Sequence, residues 1–105
     1  MKNTMTKKEM MKEMLKDYCI NSYWFAFFTN IKNKDSYDLK KENEYFEKKM
    51  LLNKYLDMFY NINATHEFIC CYIDYVTENG LKDVTSIGNK TFRKLVNDYL
   101  ERNYK

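Results

Sequence analysis

The spacing of apolar and polar positions predicts a helix at the start of the chain. Thr6 and Glu9 have the three-residue spacing of a capping box, in which each side chain accepts a hydrogen bond from the other residue's backbone N–H. The apolar residues that follow fall on one helical face, at Met11, Met14, Leu15 and Tyr18. This pattern predicts a first helix from about residue 6 to residue 29.

A second helix is predicted after a polar, aperiodic loop over residues 30–36. Asp35, Ser36 and Asp38 are each suited to cap its N-terminus. Its apolar stripe comprises Tyr45, Leu52, Leu56 and Phe59, with Phe46 and Met50 alongside. Charged residues of both signs fall on the other face, so the pattern predicts a helix over Leu39–Tyr60.

A third helix is predicted after the break at Asn61-Ile62-Asn63. Either Asn63 or Thr65 is suited to cap it. Its apolar residues are Phe68, Ile69, Tyr72, Ile73, Tyr75 and Val76. Asn79-Gly80 is expected to end it, since both residue types tolerate the left-handed conformation at a helix C-terminus.

The last helix has the clearest periodicity. Its apolar residues follow the spacing i, i+3, i+4, i+7, at Phe92, Leu95, Val96, Tyr99 and Leu100. One short helical turn is predicted over residues 81–85, followed by a turn at Gly88. The fourth long helix then runs to about Arg102.

The composition favours the same fold class. Proline is absent and glycine occurs twice in 105 residues, so the residues that interrupt helices are nearly missing. Hydrophobic residues make up 45% of the chain, which suits one modest core. We therefore predict an all-α fold, a single helical domain over residues 1–105. It is expected to be a small bundle of about four longer helices, with a short helical turn before the last one.

Cysteine content and hydropathy predict a cytoplasmic protein. The three cysteines include the adjacent pair Cys70-Cys71, and an odd number does not form the framework of a secreted disulfide protein. The most hydrophobic stretch, residues 18–28, is well short of the roughly 20 residues that span a bilayer. No transmembrane helix is therefore expected, and because a charged segment precedes the stretch and no small-residue cleavage site follows it, no signal peptide is expected either. A membrane-surface role for the Met- and Lys-rich first helix ranks only as a distant third hypothesis, so no membrane partner is predicted.

Charge is distributed unevenly over the C-terminal part of the chain. Residues 61–80 carry three acidic and no basic residues, whereas residues 81–105 carry six basic and three acidic ones. One interpretation is that these charges pair with each other or are simply solvated. The other is an anion site. Positive φ at Gly88 would turn backbone N–H groups outward at a helix start, with Lys90 adding positive charge.

The run Val84-Thr85-Ser86-Ile87-Gly88-Asn89-Lys90-Thr91-Phe92, with Leu81 before it and Leu95 after it, resembles a known DNA-binding element. Over residues 81–101 it is similar to the helix-hairpin-helix-type element in the C-terminal domain of the α subunit of bacterial RNA polymerase. In that family the element grips the DNA backbone across the minor groove. The resemblance implies that Gly88, Lys90 and Thr91 face phosphates, and Arg93 and Lys94 add positive charge to the same helix.

Metal and catalytic sites have little support in the sequence. His66, Cys70 and Asp74 have the helical spacing i, i+4, i+8, and Cys19 is the residue that would complete a zinc site. Zinc ligands usually come from two separate parts of a chain, so a surface histidine and small buried cysteines are the favoured interpretation. A Cys-His dyad on one helix also lacks an evident oxyanion hole. We therefore expect no enzyme activity, no metal and no cofactor.

Aromatic residues make up 17% of the chain, and five of them fall within residues 23–28. At 100° per residue these rings cover the whole circumference of the first helix, so one face cannot bury them all. Either this helix is central in the bundle, or some rings form a partner surface. The second alternative assigns Tyr23, Trp24, Phe27 and Phe28 to partner binding.

Two functional hypotheses follow. The first is a non-enzymatic interaction protein that docks onto a protein partner, or onto a second copy of itself as a homodimer. Sixteen lysines against two arginines, with twelve asparagines, are typical of an AT-rich genome. By association, such a chain suggests a phage or mobile-element product that binds and modulates, or inhibits, a host protein or nucleoprotein complex. The alternative is a direct, weakly sequence-specific DNA-binding protein that uses the Gly88 hairpin and the basic helix.

Overall fold

Four helices make up almost all of the computed structural model, which describes residues 5–79 and 89–104. Their bounds, in chain order, are α1 Lys7–Thr29, α2 Ser36–Tyr60, α3 Ala64–Asn79 and α4 Asn89–Asn103. These residues contain no strand, which confirms the all-α class. The predicted stop at Gly80, the helical turn over 81–85 and the turn at Gly88 lie outside the described residues.

Side-chain caps determine where the first two helices begin. The Thr6 backbone N–H donates to Glu9 Oε1 at 2.8 Å, and the Glu9 N–H donates to Thr6 Oγ1 at 3.1 Å, so the predicted capping box is present. Asp35 and Asp38 form the same reciprocal pair ahead of α2. Because Asp35 is the cap, α2 begins at Ser36, three residues before the predicted start at Leu39.

Two asparagines make the tight connection between α2 and α3. Asn61 ends α2 in the left-handed conformation, with φ 56° and ψ 44°. The Asn63 side chain then accepts from the His66 backbone N–H at 3.1 Å, so Asn63 rather than Thr65 caps α3. The two helices are therefore joined by only three residues, 61–63.

Helix α1 is the central element of the bundle. It contacts each of the other three helices, whereas α2 and α4 make no contact with each other in the part of the chain described. Its buried residues accordingly lie around much of its circumference, at Leu15, Tyr18, Cys19, Ile20, Ser22, Tyr23 and Phe28. Helix α1 therefore has the central position that was one of the two alternatives for the aromatic helix, while Trp24 and Phe27 stay only partly buried.

Aromatic rings link α1 to its neighbours. Tyr23 stacks on Phe92 of α4, with ring centroids 4.6 Å apart. Phe28 stacks on Tyr45 of α2 at 5.9 Å, at an interplanar angle of 16°. Such ring pairs add to the stability gained from burial. Much of the aromatic excess therefore serves packing between helices.

Helix α2 leaves much of its apolar surface exposed. Leu56 is fully buried against the core, but Phe59, which the sequence places on the same stripe, is 59% exposed. The exposed large apolar side chains of α2 are Tyr37, Leu39, Phe46, Met50, Leu51, Tyr55, Met58 and Phe59. Isolated exposed apolar residues are ordinary, but extended sets mark interaction surfaces, so α2 carries a candidate interaction surface.

The helices also bear on membrane insertion. None of those in the described residues is both long and apolar enough to cross a bilayer.

Candidate functional site

An apolar groove runs between the N-terminal half of α1 and the C-terminal half of α2. It has a volume of about 440 Å³. Its lining residues are Lys7, Met10, Met14, Tyr55, Phe59 and Tyr60. We call it the methionine groove. Five of the six lining side chains are methionine or aromatic, which is the composition typical of surfaces that bind apolar partners.

Helical spacing places the groove residues in pairs. Met10 and Met14 are four residues apart on α1, and Tyr55 and Phe59 are four apart on α2, so each pair shares a face of its helix. The Tyr55 and Phe59 rings lie 5.9 Å apart. Met10 is 48% exposed and Phe59 59% exposed. The groove is therefore open to a partner while its two walls are held by regular helices.

One of the residues that line the methionine groove, Lys7, is positively charged. Lys7 Nζ lies 5.8 Å from the centroid of the Tyr60 ring, a cation–π arrangement. The nearby Glu9 carboxylate is engaged in the capping box, where hydrogen bonds from Thr6 lower its pKa. Lys7 is thus a cation that lines the groove and can meet a ligand at this end.

The four aromatic residues predicted to bind a partner divide into two pairs. Tyr23 is 2% exposed and Phe28 9% exposed, so both belong to the core. Trp24 and Phe27 are only partly buried, and their rings meet edge to face at 5.3 Å. Only Trp24 and Phe27 of this set offer ring surface at the exterior.

The basic residues predicted to bind DNA lie together on the first two turns of α4. Lys90, Thr91, Arg93 and Lys94 are all exposed, while Gly88 lies outside the described residues. Lys94 Nζ forms an ion pair with Asp98 at 3.0 Å. Within the described part of the chain, Lys90 and Arg93 have no salt bridge.

Acidic groups of α3 pair with the far end of the same helix. Arg102 lies 3.6 Å from Asp74 and 3.4 Å from Glu78. One interpretation of the sequence was that the acidic segment 61–80 pairs with the basic segment 81–105. The contacts of Arg102 with Asp74 and Glu78 are ion pairs of this kind. These two acidic side chains of α3 are therefore engaged with the C-terminal turn of α4, and not with Lys90 or Arg93 at its start.

The residues considered for zinc do not assemble. Cys70 Sγ and His66 Nε2 are 3.4 Å apart, but Asp74 is engaged with Arg102 and Cys19 is buried, at 3% exposure. Across residues 5–79 and 89–104, no group of three or more potential ligands occurs. Burial raises the pKa of Cys71 to about 12, so this thiol stays protonated and unreactive near neutral pH.

A polar contact that the periodicity did not predict lies between α3 and α4. The Tyr99 hydroxyl donates to Glu67 Oε2 at 2.9 Å. Burial raises the pKa of Tyr99, and the hydrogen bond to Glu67 raises it further. The Tyr18 hydroxyl similarly shares a 2.8 Å hydrogen bond with Thr65. Both contacts satisfy polar atoms at helix interfaces, which is a structural role.

Sequence reasoning missed the methionine groove because its walls lie about 45 positions apart along the chain. The available signal was the i, i+4 spacing of Met10 with Met14 and of Tyr55 with Phe59. That signal identifies two apolar faces but does not say that they adjoin or remain uncovered. Only the packing of α2 on α1 does so.

Comparison with known proteins gives no relatives on which to base a function. No protein-family model matches the chain, and neither the curated proteins nor the solved structures contain a match. The resemblance to the DNA-binding element of the RNA polymerase α subunit stays a prediction, because most of the residues that carry it lie outside those described. Function is therefore inferred from the surfaces of the chain itself.

Proposed function

We propose that this chain is a non-enzymatic protein-interaction module that binds an apolar helical segment of a protein partner in the methionine groove. The observation that supports this most directly is the exposure of Met10, Tyr55 and Phe59 in one open groove between two helices. A monomer gains nothing by leaving such side chains in water. A partner that covers them gains the free energy of apolar burial.

A helix is the partner segment that suits this shape. Two packed helices present a straight groove, and an amphipathic helix fills it with residues spaced i, i+3, i+4 and i+7. Methionine side chains on one wall adapt to such an apolar face because they are unbranched and flexible. The aromatic wall at Tyr55 and Phe59 supplies the large rigid surfaces typical of binding hot spots.

Charge selects among such helices. Lys7 lines the groove and Lys8 is exposed beside it on the first turn of α1. A partner helix with an acidic residue at the end that meets Lys7 gains an ion pair there, which affects orientation and association rate more than affinity. The expected partner is therefore an apolar helix with an acidic flank. The module is expected to act by occupying this helix on a host protein or nucleoprotein complex, as the composition suggested.

The test is direct binding to a partner recovered with the chain as bait and then purified. Phe59→Glu places a charge in the groove and should weaken binding at least about tenfold, as hot-spot substitutions do. Leu39→Glu is the matched control, since Leu39 is also on α2 and 55% exposed but lies outside the groove. Isothermal titration gives both affinities.

The proposal fails if the purified partner binds Phe59→Glu and Leu39→Glu equally well. Lys7→Glu provides a second check on the orientation. It should reduce the association rate of an acidic partner, and the reduction should diminish at high salt.

The second candidate function is direct DNA binding through the start of α4. The observation in its favour is that Lys90, Thr91 and Arg93 are exposed on the first two turns, where the helix dipole is positive and the first turn has no acidic residue. Lys94 would add positive charge if its ion pair with Asp98 opened. Gly88 is the predicted turn that precedes these residues. Such contacts bind phosphate and carry little sequence information.

Fluorescence anisotropy of labelled duplex DNA at about 50 and 200 mM salt tests this alternative. Lys90→Ala should weaken binding to unrelated DNA sequences equally. It should also reduce the slope of the logarithm of the binding constant against the logarithm of salt concentration by about one unit. Lys40→Ala, an exposed lysine on α2, is the matched control. Absence of binding at the lower salt concentration, or equal losses in both variants, rejects the DNA hypothesis.

A further inference from the structure

The outward face of α2 carries a second apolar surface that is separate from the methionine groove. Leu56 marks the side of α2 that packs on α1, because it is fully buried. At 100° per residue, Glu47, Lys54 and Met58 lie within about 20° of the opposite direction. Met50 and Leu51 lie on either side of that line. We call these five residues the outer ridge of α2.

The outer ridge has the spacing of a helix–helix seam. Its members follow the series i, i+3, i+4, i+7, i+11, which keeps them on one stripe. The apolar members are well exposed, with Met50 at 46%, Leu51 at 51% and Met58 at 60%. A single charged residue on each side of the Met50-Leu51 pair interrupts the apolar stripe, at Glu47 and at Lys54.

The charges of α2 are arranged with opposite signs at its two ends. Residues 36–47 contain four acidic and two basic residues, whereas residues 48–60 contain three basic and one acidic. The two halves therefore carry −2 and +2. Neither Glu47 nor Lys54 forms an ion pair with any residue that the structure describes.

We propose that the protein forms a homodimer in which the outer ridges of two α2 helices pair antiparallel about a two-fold axis. With the axis between Met50 and Leu51, each Glu47 faces Lys54 of the second copy, because both charges lie equally far from the axis along the helix. Met50 then faces Leu51 of the second copy. Opposite charges meet at both ends of a central apolar contact, so one patch is complementary to itself, as a two-fold interface requires.

The same charges disfavour other arrangements. Parallel pairing in register places Glu47 against Glu47 and Lys54 against Lys54, which repel. Antiparallel pairing centred on Glu47 brings the two Glu47 carboxylates together. The signs and positions of these two charges thus favour the antiparallel register centred between Met50 and Leu51 over both of these arrangements.

This inference goes beyond the proposed function and does not depend on it. Tyr55 and Phe59, which line the methionine groove, are not members of the outer ridge. A dimer that pairs the ridges therefore leaves the groove residues outside the seam. The two proposals can fail separately, since one is tested by partner binding and the other by self-association.

Sedimentation equilibrium of the full chain at low ionic strength measures the self-association constant. Glu47→Lys places lysine opposite Lys54 at both ends of the seam, and Lys54→Glu places two acids together. Each substitution should weaken dimerisation by about tenfold or more, because two attractive pairs become repulsive. Lys32→Glu, a comparable exchange at an exposed position of the loop before α2, should leave the association constant unchanged.

Charge reversal gives a stricter test of the register. The double variant Glu47→Lys/Lys54→Glu restores both attractive pairs and should recover the wild-type dimer. An equimolar mixture of the two single variants should form a heterodimer, since the lysine introduced at position 47 of one chain then meets the glutamate introduced at position 54 of the other. Neither result follows from a general loss of stability, and circular dichroism of each variant checks that the helices are retained.

A monomeric wild-type chain throughout the concentration range overturns the proposal. So does a dimer that is unaffected by both single substitutions. A dimer that is weakened by each single substitution but not restored by the double variant overturns the register. Loss of groove binding by Phe59→Glu with dimerisation intact would show that the two surfaces act separately.

Discussion

At the scale of single residues, burial rather than residue type sets the chemistry of the three cysteines. Cys19 and Cys71 are 3% and 1% exposed, and burial raises the pKa of both thiols. Cys70, the residue adjacent to Cys71, is only half-buried and lies beside His66. Two neighbouring cysteines therefore belong to different environments because successive residues of a helix point about 100° apart.

The buried thiols make stability dependent on alkaline pH. A thiol whose pKa is raised by folding contributes fully below the unfolded pKa of 9.0 and loses that contribution as pH rises toward about 12, the folded value for Cys71. At pH 10 the loss from Cys71 alone is about 1 kcal/mol. Chemical unfolding under reducing conditions at pH 7.5 and 10 measures it. Cys71→Ala should reduce the loss of unfolding free energy between pH 7.5 and pH 10. The control Cys70→Ala retains both buried thiols and should show the same loss as the wild type. An unfolding free energy that is unchanged at pH 10 contradicts the burial.

At the scale of secondary structure, helix ends are set by short-range contacts. The pairs Thr6–Glu9 and Asp35–Asp38 each satisfy two backbone N–H groups that the first turn of a helix leaves free. Asn61 ends α2 with positive φ, a conformation that costs most residues about 1 kcal/mol or more. These contacts involve residues close in sequence, so the pattern alone was able to locate them to within three residues.

The conformation of Asn61 predicts opposite effects for two substitutions. Asn61→Ala should lower the free energy of unfolding by about 1 kcal/mol, because alanine's Cβ disfavours positive φ. Asn61→Gly should change the free energy of unfolding little or not at all. Asn30 is the matched control: it ends α1 with φ −85°, so Asn30→Ala carries no such penalty. Urea unfolding of the wild type and the three variants measures the effects, and equal losses at the two asparagines would contradict the left-handed assignment.

At the scale of the whole molecule, α1 organises the bundle. The other three helices pack around it, and Tyr23 stacked on Phe92 connects it to α4. This arrangement uses most of the first helix's circumference for the core. It leaves α2 packed on one side only, which is why α2 carries both the methionine groove and the outer ridge.

Removing a ring at this junction tests the packing of α4 on α1. Phe92 is fully buried, so Phe92→Ala should lower the free energy of unfolding by about 3–5 kcal/mol. Phe59→Ala, at 59% exposure, is the matched control and should cost under about 1 kcal/mol. If the chain is the single domain predicted, Trp24 fluorescence and far-ultraviolet circular dichroism should report one coincident transition. Separate transitions would contradict that prediction.

The sequence by itself determined the helical class, the start of α1 and the turn between α2 and α3, and it located the start of α2 to within three residues, because spacing and capping act over three or four residues. It also identified Lys90, Thr91, Arg93 and Lys94 as one cluster on a single helix. Tertiary structure alone decided which faces are covered. Leu56 and Phe59 differ by only three positions in one predicted stripe, yet one is buried and the other is 59% exposed. Tyr23 and Phe28 are buried in the core, whereas Met10 and Phe59 are exposed in the groove. The sequence does not distinguish these cases, because burial depends on neighbours that are distant in the chain.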